Sequence, residues 1–127
     1  MNSPRLALAS FLLMTLGFTS LAVAQEDRFI QVGKDTNKRE VFLDTETISN
    51  RGFDLLTPLP SDRTQKMNLS MSCSEGTVRV MKISILEDGV KPLVVQKKPG
   101  DVIHYEPNSM AGKAMAITCR KLGVAGY

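Results

Sequence analysis

The chain has no tryptophan, one histidine, two tyrosines and only two cysteines in 127 residues. Each scarcity removes a class of function. A structural zinc site takes four His or Cys ligands at short spacings, which His104, Cys73 and Cys119, far apart in the chain, do not supply. The cysteines also lack the C-x-x-C spacing of a redox dithiol. Aromatic residues make up 6% of the chain, so the stacking platforms that accompany basic patches in nucleic-acid readers are missing and no nucleic-acid partner is expected. No G-x-S-x-G, P-loop, H-E-x-x-H or dinucleotide fingerprint occurs. The one close acidic pair, Asp44 and Glu46, stands two residues apart, as residues sharing one face of a strand do. Glycosidase chemistry needs two carboxyls across a cleft with sugar-binding surroundings, and Asp44 is read instead as a turn or cap residue. The expectation is a non-enzyme with no catalytic residue, no cofactor and no metal.

What is present begins with an export signal. Arg5 precedes the apolar run LALASFLLMTLGF, and Ala22-Val23-Ala24 then supplies small residues before Gln25. A positive start, an apolar core and an Ala-x-Ala site define a Sec-type signal peptide over residues 1–24. The run is short for a membrane span, and no cysteine stands near the cleavage site for lipid attachment. The expected product is a periplasmic or secreted protein that is not a lipoprotein and keeps no stable membrane anchor after cleavage.

The mature chain, residues 25–127, has the size of one small domain. Exported thiols meet an oxidising compartment, so the default pairing is a Cys73–Cys119 disulfide. Removing Arg5 with the leader leaves a net charge of about +2 by the side-chain count. Lys34, Lys38 and Arg39 surround a turn-like GKDTNKRE, and Lys97-Lys98 precedes Pro99-Gly100. Without interleaved aromatics, both groups read as solvated loop charge.

Patterning along the domain favours strands first. Phe29 to Val32, Val41 to Ile48 and Phe53 to Leu56 are short apolar segments separated by polar turns, as in antiparallel hairpins. Pro58 and Pro60 in TPLPSDRT predict a loop or irregular edge, because proline removes backbone donors. Met67, Leu69, Met71 and Cys73 alternate with polar residues, which points the cysteine inward from a half-buried strand. After a Ser74-Glu75-Gly76 turn, VRVMKISIL reads as the strongest strand, with Met81, Ile83 and Ile85 on one face. Leu93 to Gln96 and Val102 to Tyr105 are further short strands. At Pro107-Asn108-Ser109 the period changes from two to 3.6, with Asn108 or Ser109 as the cap. Ala111, Met115, Cys119 and Leu122 then form one stripe of a terminal helix. The fold class expected is α+β, a small antiparallel β-sheet covered by one C-terminal helix and stapled by a disulfide.

Other side chains raise sharper readings. His104 has no neighbouring ligand type and reads as a packed or surface residue. Met67, Met71, Met81, Met110 and Met115 offer soft thioethers of the kind copper-handling proteins use, but their spacing places Met67, Met71 and Met115 on inward faces, as core filler. Asn68-Leu69-Ser70 matches a glycosylation sequon, without consequence in a chain that looks bacterial.

Phe29-Ile30-x-Val32, then Phe42-Leu43-Asp44 with Thr47-Ile48 and a Gly52 turn, then Cys73 before a basic strand, and finally Tyr105 and Pro107-Asn108-Ser109 leading to Cys119, together resemble the surface-adhesin protein E family of bacterial envelope proteins. The resemblance spans nearly the whole mature chain, as one domain over residues 25–127. It departs from the family at Phe29, where a Trp is usual, and in the missing lipoprotein cysteine. It implies a non-enzymatic envelope protein that binds a protein or other envelope partner through surface loops, with no binding residue carried over and the oligomeric state left open. The alternative is a periplasmic module that binds a small ligand, copper or a hydrolase as its inhibitor.

Overall fold

A computed structural model describes residues 28–127; the expected leader at 1–24 lies outside them. Residues 31–127 form one compact unit. Among the described residues, seven strands, β1 (Phe29–Lys34), β2 (Glu40–Ser49), β3 (Gly52–Leu59), β4 (Arg63–Ser72), β5 (Thr77–Glu87), β6 (Val90–Gln96) and β7 (Ile103–His104), precede one helix, α1 (Met110–Lys121). The strands form one sheet in the order β1-β2-β3-β4-β5-β6, with β7 also paired to β5. The pairs β2–β3, β3–β4, β4–β5, β5–β6 and β5–β7 are antiparallel. This is the α+β fold expected from the sequence.

Short turns join these strands because the turn residues supply the hydrogen bonds that the ladder does not. Asp35 gathers the first turn, its Oδ1 accepting from the N–H groups of Asn37 and Arg39 at 2.8 and 2.9 Å. Asn50-Arg51 makes a two-residue hairpin closed by Ser49 opposite Gly52. Pro60-Ser61-Asp62 turns β3 into β4 with Ser61 and Asp62 at φ 66° and 57°.

The expected break at Pro58 does not occur. β3 continues through Pro58, paired with Thr64, to Leu59 opposite Arg63. The β2–β3 ladder ends at Phe42 opposite Leu56, so Pro58 stands beyond that ladder. Its missing N–H is tolerated there as at an edge.

The face expected for β5 also changes. Asn68 pairs with Lys82 but the next residue, Leu69, pairs with Val80, which leaves Met81 as an extra residue in a β-bulge. A bulge resets the alternation of side chains. Val78 and Val80 therefore join the core while Met81 is left out of it. The strand expected at Val102 to Tyr105 contracts to Ile103 and His104, opposite Val78 and Thr77.

α1 begins and ends by identifiable caps. The Ser109 hydroxyl accepts from the Gly112 N–H at 3.0 Å, satisfying one of the open amides of the first turn. At the other end Gly123 adopts φ 79°, its N–H bonds Arg120 O and the Val124 N–H bonds Cys119 O, both at 3.0 Å. These two bonds are a Schellman cap. The cap corrects the expected stripe: Leu122 becomes the C-cap and is 37% exposed, and Val124 packs against the core after the reversal. The buried face of the helix is Gly112, Ala114, Met115, Thr118 and Cys119. Gly112 has no room for a side chain, since a Cβ there would run into the Glu106 carbonyl.

That helical face packs on Val32, Val41, Leu43, Phe53, Leu55, Leu69 and Val78 of the sheet. Twelve helical residues span about 18 Å, whereas ten or eleven residues of strand span about 35 Å. One helix therefore covers only part of one sheet face. Ile83, Ile85, Leu93 and Val95 do not belong to the core.

Candidate functional site

Cys73 and Cys119 are bonded to each other, with their Cα atoms 5.9 Å apart. Cys73 is the first turn residue after β4, and Cys119 is fully buried on α1. The disulfide thus ties the last turns of the helix to the end of the sheet where β4 turns into β5. The Met71 thioether lies 3.5 Å from Cys73 Sγ. Oxidised sulfur has no proton to donate, so this is a sulfur–sulfur packing contact.

Two tyrosines, not singled out as site residues from the sequence, extend this staple. The Tyr105 hydroxyl donates to the Tyr127 hydroxyl, which donates to the Cys73 carbonyl, each at 2.8 Å. These residues border an open groove of about 680 Å³ that also meets Arg120 and Val124. The hydrogen bond with Tyr105, followed by burial and the proximity of that second phenol, holds the Tyr127 phenol above its ordinary value of 10.0. A raised phenol keeps its proton in the folded state where the unfolded chain has lost it, so its contribution is full below about pH 10 and declines as pH rises beyond it. The urea midpoint should therefore fall above pH 10, and Tyr127→Phe should flatten that fall. An unchanged alkaline limb in Tyr127→Phe would show that other groups control it.

The acidic pair reads differently in three dimensions. Asp44 is 4% exposed and Glu46 is exposed. Asp44 lies inside β2, where the register with β3 slips, and its Oδ1 accepts from the Glu46 N–H at 3.2 Å. It performs the local capping expected of it, but within a strand. The carboxylate opposite Asp44 is Asp54, which takes a 2.7 Å hydrogen bond from Asn68 Nδ2 and has Lys66 Nζ at 3.7 Å. The sequon asparagine is thus engaged in the sheet's own polar row. Asp54 was missed because its partners come from β2 and β4.

His104 is exposed on β7, a surface residue. Among the described residues no three His, Cys, Asp or Glu side chains gather as a metal site. Met115 is fully buried, and Met67, Met71 and Met110 pack against the core, so these four thioethers serve as apolar filler. Lys38, Lys97 and Lys98 are exposed.

The prominent exposed feature is apolar. Val90, Leu93 and Val95 on β6, with Val102 and Ile103 at β7, are 53% to 62% exposed. β6 and β7 pair successive stretches of the same side of β5, so these residues follow one margin of the sheet. Between them Lys97–Val102 forms a strap. Gly100 N–H donates to Val80 O at 2.8 Å, and Arg79 Nε donates to Gly100 O at 2.7 Å. The strap is pinned to β5 at one point from both sides.

No family model matches this chain, and no curated protein or solved structure matches it either. Among the described residues, no helix is long and apolar enough to cross a membrane.

Proposed function

We propose that the chain is an exported, non-catalytic binding protein of the bacterial envelope, of the surface-adhesin protein E type, that holds a protein partner against the apolar margin formed by β6 and β7. The supporting observation is the exposure of Val90, Leu93, Val95, Val102 and Ile103. Several exposed large apolar side chains along one margin are what protein interfaces use, whereas isolated ones are ordinary. The same margin carries Lys91 and Pro92 and two register shifts against β5, devices that obstruct uncontrolled strand addition. A margin guarded at its backbone but apolar in its side chains suits a side-chain interface. The disulfide fits an oxidising compartment.

The test is retention of envelope proteins on the immobilised chain, followed by titration with the retained protein once purified. Leu93→Lys with Val95→Lys should leave the melting temperature within a few degrees, because both side chains are exposed already, and should weaken binding at least tenfold. Binding that survives the double substitution would move the interface elsewhere. Absence of any saturable protein partner would remove the proposal.

A further inference from the structure

We infer that the cleft beneath the 97–102 strap is a binding site for the aliphatic chain of an anionic amphiphile of the fatty-acid class. The cleft has a volume of about 340 Å³. That lies within the range of small-molecule sites, roughly 300 to 1,000 Å³, and is more than twice the ~150 Å³ apolar cavity that stays dry and takes up benzene.

Its walls are aliphatic or thioether groups from β3, β4, β5, β7 and α1. Leu55, Met67, Leu69 and Val80 form the floor on β3, β4 and β5, and Met110 with Ala111 forms a wall at the start of α1. The polar side chains of the lining are Gln96 and Asp101, at the two ends of the strap. Gln96 Nε2 already donates to Lys98 O at 3.2 Å, and both backbone polar groups of Gly100 are engaged by Val80 and Arg79. Apart from the exposed Asp101 carboxylate, a polar ligand entering this cleft would give up water without free replacement partners in the lining, which is unfavourable. An alkyl chain would lose nothing, and Met67 and Met110 are the adaptable kind of side chain that moulds to variable chains.

The strap sets the sign of the head group. It carries Lys97 and Lys98, both exposed, against the single carboxylate of Asp101, and the Arg79 guanidinium bonds its Gly100 carbonyl. Asp101 is the one charged side chain in the lining itself; counted with Lys97, Lys98 and Arg79 beside it, the strap is cationic overall, which favours a carboxylate head over a cationic one. Ile103 borders both, but Val90, Leu93 and Val95 do not line this cleft, so substitutions on β6 separate the site from the proposed protein interface.

Calorimetric titration of the purified chain with decanoate, below its micellar concentration, is expected to give saturable binding of one molecule per chain. Each buried methylene strengthens binding about fourfold, so butyrate should bind at least a hundredfold more weakly. Decyltrimethylammonium, with the same chain and the opposite charge, should bind at least tenfold more weakly. Ala111→Phe and Met110→Trp, each at a half-buried wall position, should fill the cleft and reduce decanoate affinity at least tenfold; either one that keeps the wild-type melting curve suffices as the test. Lys97→Glu with Lys98→Glu, on exposed residues, should abolish the preference for decanoate over the cationic amphiphile, and Leu93→Lys should leave decanoate binding unchanged. The site is overturned by absence of saturable binding, by affinity independent of chain length, by binding that persists in a folded cleft-filling variant, or by loss of binding in Leu93→Lys. Equal affinity for the two head groups would overturn the anionic assignment.

Discussion

Met115→Asp is expected to unfold the domain at ambient temperature even when the Cys73–Cys119 disulfide is intact. Met115 is fully buried on α1, among Leu43, Phe53, Ala114 and Cys119 of the core. Truncating a buried Met costs about 2 to 5 kcal/mol through lost transfer energy and the cavity left behind. A carboxylate in the same place adds a desolvation penalty of several kcal/mol unless it protonates or finds partners. Those two losses rival the whole stability of a domain this size, about 5 to 15 kcal/mol. Met115→Leu, nearly equal in volume, should cost less than about 1.5 kcal/mol. Circular dichroism melts of the oxidised proteins check this: Met115→Leu should melt near wild type and Met115→Asp should show no cooperative transition. A cooperative Met115→Asp melt within a few degrees of wild type would show that α1 is peripheral to the core.

Much of this architecture was legible before any coordinates, because the signals that specify it are local. Alternation in Met67 to Cys73 made a strand, which ends at Ser72 and leaves Cys73 in the turn; Asn50-Arg51-Gly52 made a turn, and the change of period at Pro107 made a helix, with Ser109 rather than Asn108 as its cap. The misreadings were of the opposite kind. Whether Pro58 breaks a ladder depends on how far β2 extends alongside β3, a relation between strands. The bulge at Met81 is set by how β5 meets β4, and a period-two reading of β5 alone cannot contain it. Leu122 continues the helical spacing on paper, but Gly123 in the left-handed region ends the helix and Val124 occupies the place expected of it.

The candidate sites were less legible for the same reason. Leu93 and Val95 read as strand residues, and nothing in their neighbours says that β6 lies at the margin. The cleft is assembled from β3, β4, β5, the strap and the first turn of α1, and its emptiness follows from a helix about half as long as the strands it covers. Tyr127 meets Cys73 across a separation of 54 residues. Only the cysteine pairing could be inferred at long range, because the export expected from the leader restricts what two thiols become.

Removing that pairing is the second large effect. The cysteines are 46 positions apart, and closing a loop of that length in the unfolded chain is worth about 4 kcal/mol in the chain-entropy model. For a domain of about 100 residues, each kcal/mol moves the melting temperature by roughly 4 to 8 °C, so Cys73→Ala with Cys119→Ala should melt roughly 15 to 30 °C below the oxidised wild type. Alanine is the better replacement, because Cys119 is fully buried and a serine hydroxyl there would need a partner. Much of the loss should reside in the unfolded state: the apolar contacts of Met115 and Ala114 do not require the cystine, so the double variant should remain cooperatively folded in the cold with native far-ultraviolet dichroism. Reduction of the wild type should reproduce the same shift, less any contribution of the new thiols. A double variant that melts within 5 °C of the oxidised protein would place the stabilisation in packing alone. One that is unfolded even at low temperature would show that α1 docks only when covalently held.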